Sequence, residues 1–173
     1  MAKHDTLNVN FACYENAKEY LGMTEATLPD IEYMSETISG AGIGGELEEV
    51  LVGMVSAMTT TLNFRTPNAS AIKLTRPGVH KIDLRVAQQR RNSKSGKIDI
   101  VQIKHILKLT PKKQGMGTVA PASPADVSGD YATSYFATYI DSKKKTEIDP
   151  ENFICYIDGK DYLADVRKAL GKS

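Results

Sequence analysis

Polar and apolar residues alternate with a period of two along most of this chain, the spacing of half-buried β-strands. In LNVNFACY, Leu7, Val9, Phe11 and Cys13 fall on one side of a strand, and Asn8, Asn10, Ala12 and Tyr14 on the other. A strand is expected from about Tyr20 to Leu28, then a second extended piece after Pro29, whose ring favours the extended state of Leu28. TTTLNF keeps the rhythm, with Met58, Thr60, Leu62 and Phe64 on one face. From His80, Ile82, Leu84, Val86 and Gln88 alternate with Lys81, Asp83, Arg85 and Ala87. Asn92 to Gly96 reads as a turn, and KIDIVQIKHILKLTPKK returns antiparallel. YATSYFATYI, a tight turn at Asp141, TEIDPENFICYI and the Asp158-Gly159 turn carry the pattern onward.

Two stretches have helical rhythm. Thr66 suits an N-cap, Pro67 the first helical position, and NASAIKLT continues to Arg76 before Pro77-Gly78 closes the segment. DYLADVRKALG pairs Tyr162 with Val166 and Leu163 with Leu170, and Gly171 ends it. Two other stretches break the pattern. GAGIGGELEEVLVG predicts an extended, flexible hairpin or loop whose Ile43, Leu47, Val50, Leu51 and Val52 want a partner surface. GMGTVAPASPADVSGDY predicts an irregular surface connection or a second arm. The pattern therefore predicts a mainly β protein, an antiparallel sandwich or barrel, with one internal short helix and one short C-terminal helix.

At 173 residues, 41% hydrophobic and 25% charged, the chain has the length and composition of one globular domain spanning residues 1–173. Cys13 and Cys155 lie far apart with no CxxC spacing, which predicts buried reduced thiols. No apolar run approaches the roughly 20 residues that cross a bilayer, and MAKHDTLNVNF has no signal-peptide core, so a soluble product of a reducing compartment is expected. The formal charge of +1 conceals a strong asymmetry. Residues 15–49 hold nine acids against Lys18 alone, net −8, while residues 65–113 hold thirteen Lys or Arg against Asp83 and Asp99, net +11. Such blocks suit pairing within one fold or complementary faces of identical subunits stacked head to tail.

Catalytic signatures are missing. His4, His80 and His105 have no HExxH or facial-triad spacing, no GxSxG elbow accompanies the serines, and Glu46, Glu48 and Glu49 sit in the glycine-rich segment rather than at a rigid strand end. The glycines are no phosphate loop, because no GK[ST] follows them. No enzyme, cofactor or metal site is expected. A basic nucleic-acid-binding ribbon through Arg85, Arg90, Arg91, Lys94 and Lys97 is a weaker alternative, since that hairpin lacks stacking aromatics.

The order of these motifs resembles the major tail tube proteins of contractile-tailed bacteriophages and related phage-tail-like bacteriocins. LPDIEYMSETISGAGIGGELEEV is similar to the LP…G-A-G-x-x-G region near the start of that family. YIDSKKKTEIDPENFICYIDGKDYLADVRKALG is similar to its ending, E-I-D…N…G-x-D-x-L with a basic tail. The likeness spans essentially the whole chain and is weak over APASPADVS.

The resemblance implies a structural protein that forms hexameric rings, the sheets of neighbouring subunits joining into a continuous inner barrel. Rings would stack into the rigid inner tube of a contractile tail or injection apparatus. It implies as partners further copies of the chain, a tail sheath protein, baseplate and tail terminator proteins, a tape measure protein inside the tube, and transient DNA in a phage. It implies residence in a virion tail or tail-like particle after synthesis in the bacterial cytoplasm. The family's long early loop, which reaches an adjacent subunit or ring, matches residues 36–54 here. Ile43, Leu47 and Leu51 are then the expected anchors, and Glu46, Glu48 and Glu49 are expected to meet Arg85, Arg90 and Arg91 of the next subunit. A tail terminator or other capping component is the alternative within the same machinery.

Overall fold

The computed structural model describes residues 3–40, 42 and 44–172. Its main sheet is built around the long hairpin foreseen from alternation, β7 (His80–Asn92) against β8 (Ile98–Gly115), in register from His80↔Leu109 to Arg91↔Ile98. β1 (Lys3–Glu15) adds to β7 on one side, and β9 (Val127–Ile140) to β8 on the other. All of these pairings are antiparallel.

The free edge of β9 serves two neighbours. Its first half, Val127 to Thr133, pairs with β6 (Met58–Phe64), which in turn holds β3 (Glu25–Thr27). Its second half, Phe136 to Ile140, pairs with β10 (Lys143–Asp149), followed by β11 (Ile154–Ile157) and β12 (Lys160–Asp161). The sheet therefore divides at β9 and folds over itself as a sandwich. It does not close into a barrel, because β12 stands at one end and β2 (Glu19–Tyr20) at the other.

The core lies where these branches face each other. Leu62 and Phe64 of β6, Ile82 of β7, Leu107 and Leu109 of β8, Tyr131 of β9 and Ile148 of β10 are all nearly inaccessible. Met58, Thr60, Leu62 and Phe64 are buried together as their spacing predicts, and the Thr60 and Thr133 hydroxyls satisfy each other at 2.7 Å inside it. Both cysteines are free and buried.

Four local expectations change. The strand expected from Tyr20 to Leu28 is two short pieces, β2 and β3, because the chain turns at Gly22 (φ +62°) to bury Leu21 and Met23. The internal helix, α1 (Ala69–Lys73), starts later than Pro67 suggests, since the Asn68 side chain rather than Thr66 accepts the Ala71 N–H, at 2.7 Å. In the terminal helix, α2 (Ala164–Ala169), the expected Leu163–Leu170 pair is absent, with Leu163 in the core and Leu170 56% exposed. Finally, Leu7 and Val9 are not core-facing although they share the alternation of Phe11 and Cys13. Register shifts lie between Asp5 and Leu7 and between Asn8 and Asn10, and both side chains are exposed.

Candidate assembly surfaces

Residues 33–55 leave the sandwich as a separate two-stranded sheet, β4 (Tyr33–Ser39) against β5 (Glu46–Val55). The glycine-rich segment is thus a hairpin rather than a loop. Its root is held where Gly53 (φ +79°) presses on the body: a Cβ there would lie 2.8 Å from Leu163 Cγ. Beside it Ser56 N–H donates to the Glu32 carbonyl at 2.8 Å. Beyond the root, every described side chain of the hairpin from Met34 to Val52 is exposed.

The register sorts these side chains by face. Directly opposed residues share a face, as do residues two apart on a strand. Ile38 opposes Leu47 and Glu36 opposes Glu49, so these four lie on one face, with Met34 and Leu51 continuing its parity. Thr37 opposes Glu48 and Ser39 opposes Glu46 on the other face, where Ser35 Oγ donates to Glu48 at 2.6 Å. The expected contact residues are therefore not one cluster. Leu47, Glu49 and Leu51 look one way, Glu46 and Glu48 the other, and Ile43 lies outside the described residues.

The three arginines also separate. Arg85 is occupied within its own chain: Nη2 donates to Asp83 Oδ2 at 3.2 Å, and its guanidinium lies 4.6 Å over the Tyr14 ring. Lys104 Nζ reaches the same buried Asp83 oxygen at 3.2 Å, so one carboxylate is shared by two cations. Arg90 also has a partner within the chain. Arg91 is exposed and makes no ion pair among the described residues.

Around Arg91 the sheet outruns its neighbours. Ile98 to Val101 of β8 pair only with β7 among the described residues, because β9 begins its pairing at Ile103 and the turn after it reaches no further than Gln102. β2 covers only Tyr14 and Glu15 of β1. The result is a three-stranded arm whose outer face carries Leu7, Ile98 and Ile100, at 72%, 55% and 58% exposure. Alternation alone hides these residues, since a two-faced strand does not say which face the body covers.

Nothing here resembles a reaction centre. Among the described residues no three His, Cys, Asp or Glu side chains gather as metal ligands. A cleft of about 540 Å³ is lined by Phe11, Leu28, Val86 and Ile103, with Glu25 as its only acid among the described residues. His105, at its edge, stacks on Phe136 and hydrogen-bonds Thr138 Oγ1 at 2.9 Å, and burial pushes its pKa down. No described helix is long and apolar enough to cross a membrane.

Comparison with known proteins accords with an assembly role. No curated protein sequence matches this chain. Among solved structures, the sheath/tube terminator of an extracellular contractile injection system (PVC) aligns with TM-score 0.57 at 10% identity, covering 79% of this chain and 97% of that one. A chain of the sheath-tube complex of that system aligns with TM-score 0.54 at 11% identity, over 75% and 87%. The terminating cap of the anti-feeding prophage tube aligns with TM-score 0.51 at 14% identity, over 81% and 93%. At such identities these likenesses establish the shared fold. The sequence model described as phage tail tube protein FII matches residues 6–171, essentially the whole chain. The protein belongs to the phage tail tube protein FII family and is a non-catalytic structural component of a virion tail.

Proposed function

We propose that residues 1–173 act as one tube domain that forms hexameric rings, and that the rings stack into the inner tube of a contractile tail. The observation that carries this reading is the β4–β5 hairpin. Met34, Ile38, Leu47, Val50, Leu51 and Val52 are between 40% and 65% exposed on a two-stranded sheet that has no layer of its own beneath it. An isolated hairpin is marginal in water, and so much apolar surface marks an interaction site. Residues 36–54 are on this reading the inter-subunit element, with Leu47 and Leu51 as anchors. The open sheet edges are then closed by neighbouring copies.

The tube would give a rigid rod for envelope penetration and a channel for DNA or effectors. A sheath protein outside, a baseplate below, a terminator above and a tape measure protein within are the partners it implies. A channel that passes DNA needs a wall with little unpaired positive charge, since each phosphate contact adds a salt-dependent attraction. Pairing of Lys144 with Glu147 at 2.6 Å supports this reading, and Asp83 offsets one of the two charges of Arg85 and Lys104. Several basic side chains projecting unpaired into the channel of a high-resolution tube would contradict it.

A terminator is the second reading, because the fold also serves a tube terminator and a terminating cap. Negative-stain electron microscopy of the purified protein at rising concentration separates the two. Long tubes with a uniform central channel are expected; single rings that never stack would favour the terminator.

A further inference from the structure

We infer that the Glu36/Glu49 face of the β4–β5 hairpin in one copy seats on the Arg91 face of the β1–β7–β8 arm in a second copy. This rests on the tube reading above and names the receiving surface, which that reading leaves open.

The hairpin face consists of two cross-strand rows. Ile38 and Leu47 form an apolar row, and Glu36 and Glu49 form the next. Two carboxylates directly opposite each other on adjacent strands repel, and neither has an ion-pair or hydrogen-bond partner among the described residues. The Cβ atoms of such a directly opposed pair lie about 4.5–5.5 Å apart, so the two carboxylates share one short row. A cation from outside the chain would turn this cost into an attraction.

The arm's outer face has the matching layout. Leu7, Gln89 and Ile100 are aligned across three strands as one row, and His4, Arg91 and Ile98 as the next. The first row is apolar at both ends, and the second presents the guanidinium of Arg91, which has no ion pair among the described residues. On any strand, rows two residues apart are separated by about 7 Å, so the two surfaces share one spacing. Laid together, Ile38 and Leu47 cover Leu7 and Ile100, while Arg91 comes between the two carboxylates.

Both faces are exposed in the isolated chain, so they do not cover each other within it. Each copy carries one hairpin and one arm. In the rings and stacks of the tube reading the contact is heterologous, joining different surfaces, and it propagates from copy to copy.

The test is a charge exchange, with unfolding of each variant measured to confirm that the fold is intact. Glu36→Lys combined with Glu49→Lys, in one protein, and Arg91→Glu, in another, should each raise the concentration at which assembly begins by roughly tenfold or more. Mixed in equal amounts, the two should assemble again, because a lysine hairpin now faces a glutamate arm and the native pair faces itself. A second probe is the variant carrying Leu47→Cys and Ile100→Cys. On oxidation it should give a covalent ladder beyond the dimer. Wild-type assembly with either charge variant assembling as wild type, with no rescue in the mixture, or with no ladder would overturn this pairing and leave the tube reading standing. A wild-type chain that stays monomeric at every concentration would overturn both.

Discussion

The sandwich and the hairpin are both antiparallel β-structure, yet one is complete by itself and the other is not. In the body, Leu62, Phe64, Leu109 and Ile148 are each exposed by 2% or less. In the hairpin, Leu47 and Leu51 remain 50% and 47% exposed, and among the described residues only the root glycine, Gly53, is buried. Apolar residues in the body stabilise the fold of one chain. Those in the hairpin find their stabilising partner, on the tube reading, in another copy, so the same residue types do different work according to whether a second layer lies over them.

The largest effect that would test this contrast comes from truncating one side chain in each region. Phe64→Ala should lower the unfolding free energy of the monomer by about 3–5 kcal/mol, since the ring is buried in the core. Leu47→Ala should change it by less than about 0.5 kcal/mol while abolishing or strongly delaying tube growth. Denaturant unfolding of the dilute chain, beside microscopy of the concentrated one, measures both. If the two substitutions acted alike on the monomer, the distinction would collapse.

The junction between the regions comes next. Gly53→Ala forces a side chain into a left-handed backbone and against Leu163, and should cost about 1–3 kcal/mol. Gly44→Ala, near the hairpin tip with nothing within 4 Å, should be close to neutral in the same unfolding assay.

Acids sharpen the contrast further. Burial alone would raise the Glu15 carboxyl, but hydrogen bonds from His80 and Lys73 hold it below its ordinary value of 4.5. His80 Nδ1 and Lys73 Nζ lie 2.8 and 2.7 Å from its oxygens. A lowered folded pKa means that the unfolded chain binds more protons in the window below 4.5. The contribution of Glu15 is complete above that pH and is lost as pH falls through the folded value. Glu15→Gln should flatten this part of the stability profile. Neutralising Glu36 and Glu49 should leave monomer stability almost unchanged and act on assembly.

The smallest effect is chemical. Burial, followed by the nearby Asp83 charge, pushes the Cys13 thiol up to about 12, and burial raises Cys155 too. Neither should react with a thiol reagent at neutral pH until the body unfolds. Labelling at the rate of an exposed cysteine would mean that the body opens as readily as the hairpin root.

The body was largely legible in the amino-acid sequence because each of its strands has one face on the core. Met58 to Phe64 is the clearest case, four inward residues at even spacing that are all buried. Leu7 and Val9 misled for the same reason. Alternation reports two faces, and on the arm no layer covers the face that looks apolar. The cap was hidden because Thr66 and Asn68 are both good N-cap residues around Pro67, and only the position of the Ala71 N–H chooses between them. At the hairpin, composition exposed the unpartnered apolar segment and its acids. It did not disclose that Glu49 opposes Glu36 while Glu46 and Glu48 face away. That depends on register, including the shift between Tyr33 and Ser35 that takes the β5 partner from Val55 to Val50.

The most direct test of the claim that the hairpin is completed by another copy is a cryo-electron microscopy reconstruction of the wild-type assembly. The account predicts stacked rings in which Ile38 and Leu47 of every copy are buried against a neighbouring copy, with Glu36 and Glu49 beside a cation of that neighbour. A tube whose hairpins project into solvent, touching no other copy, would contradict it.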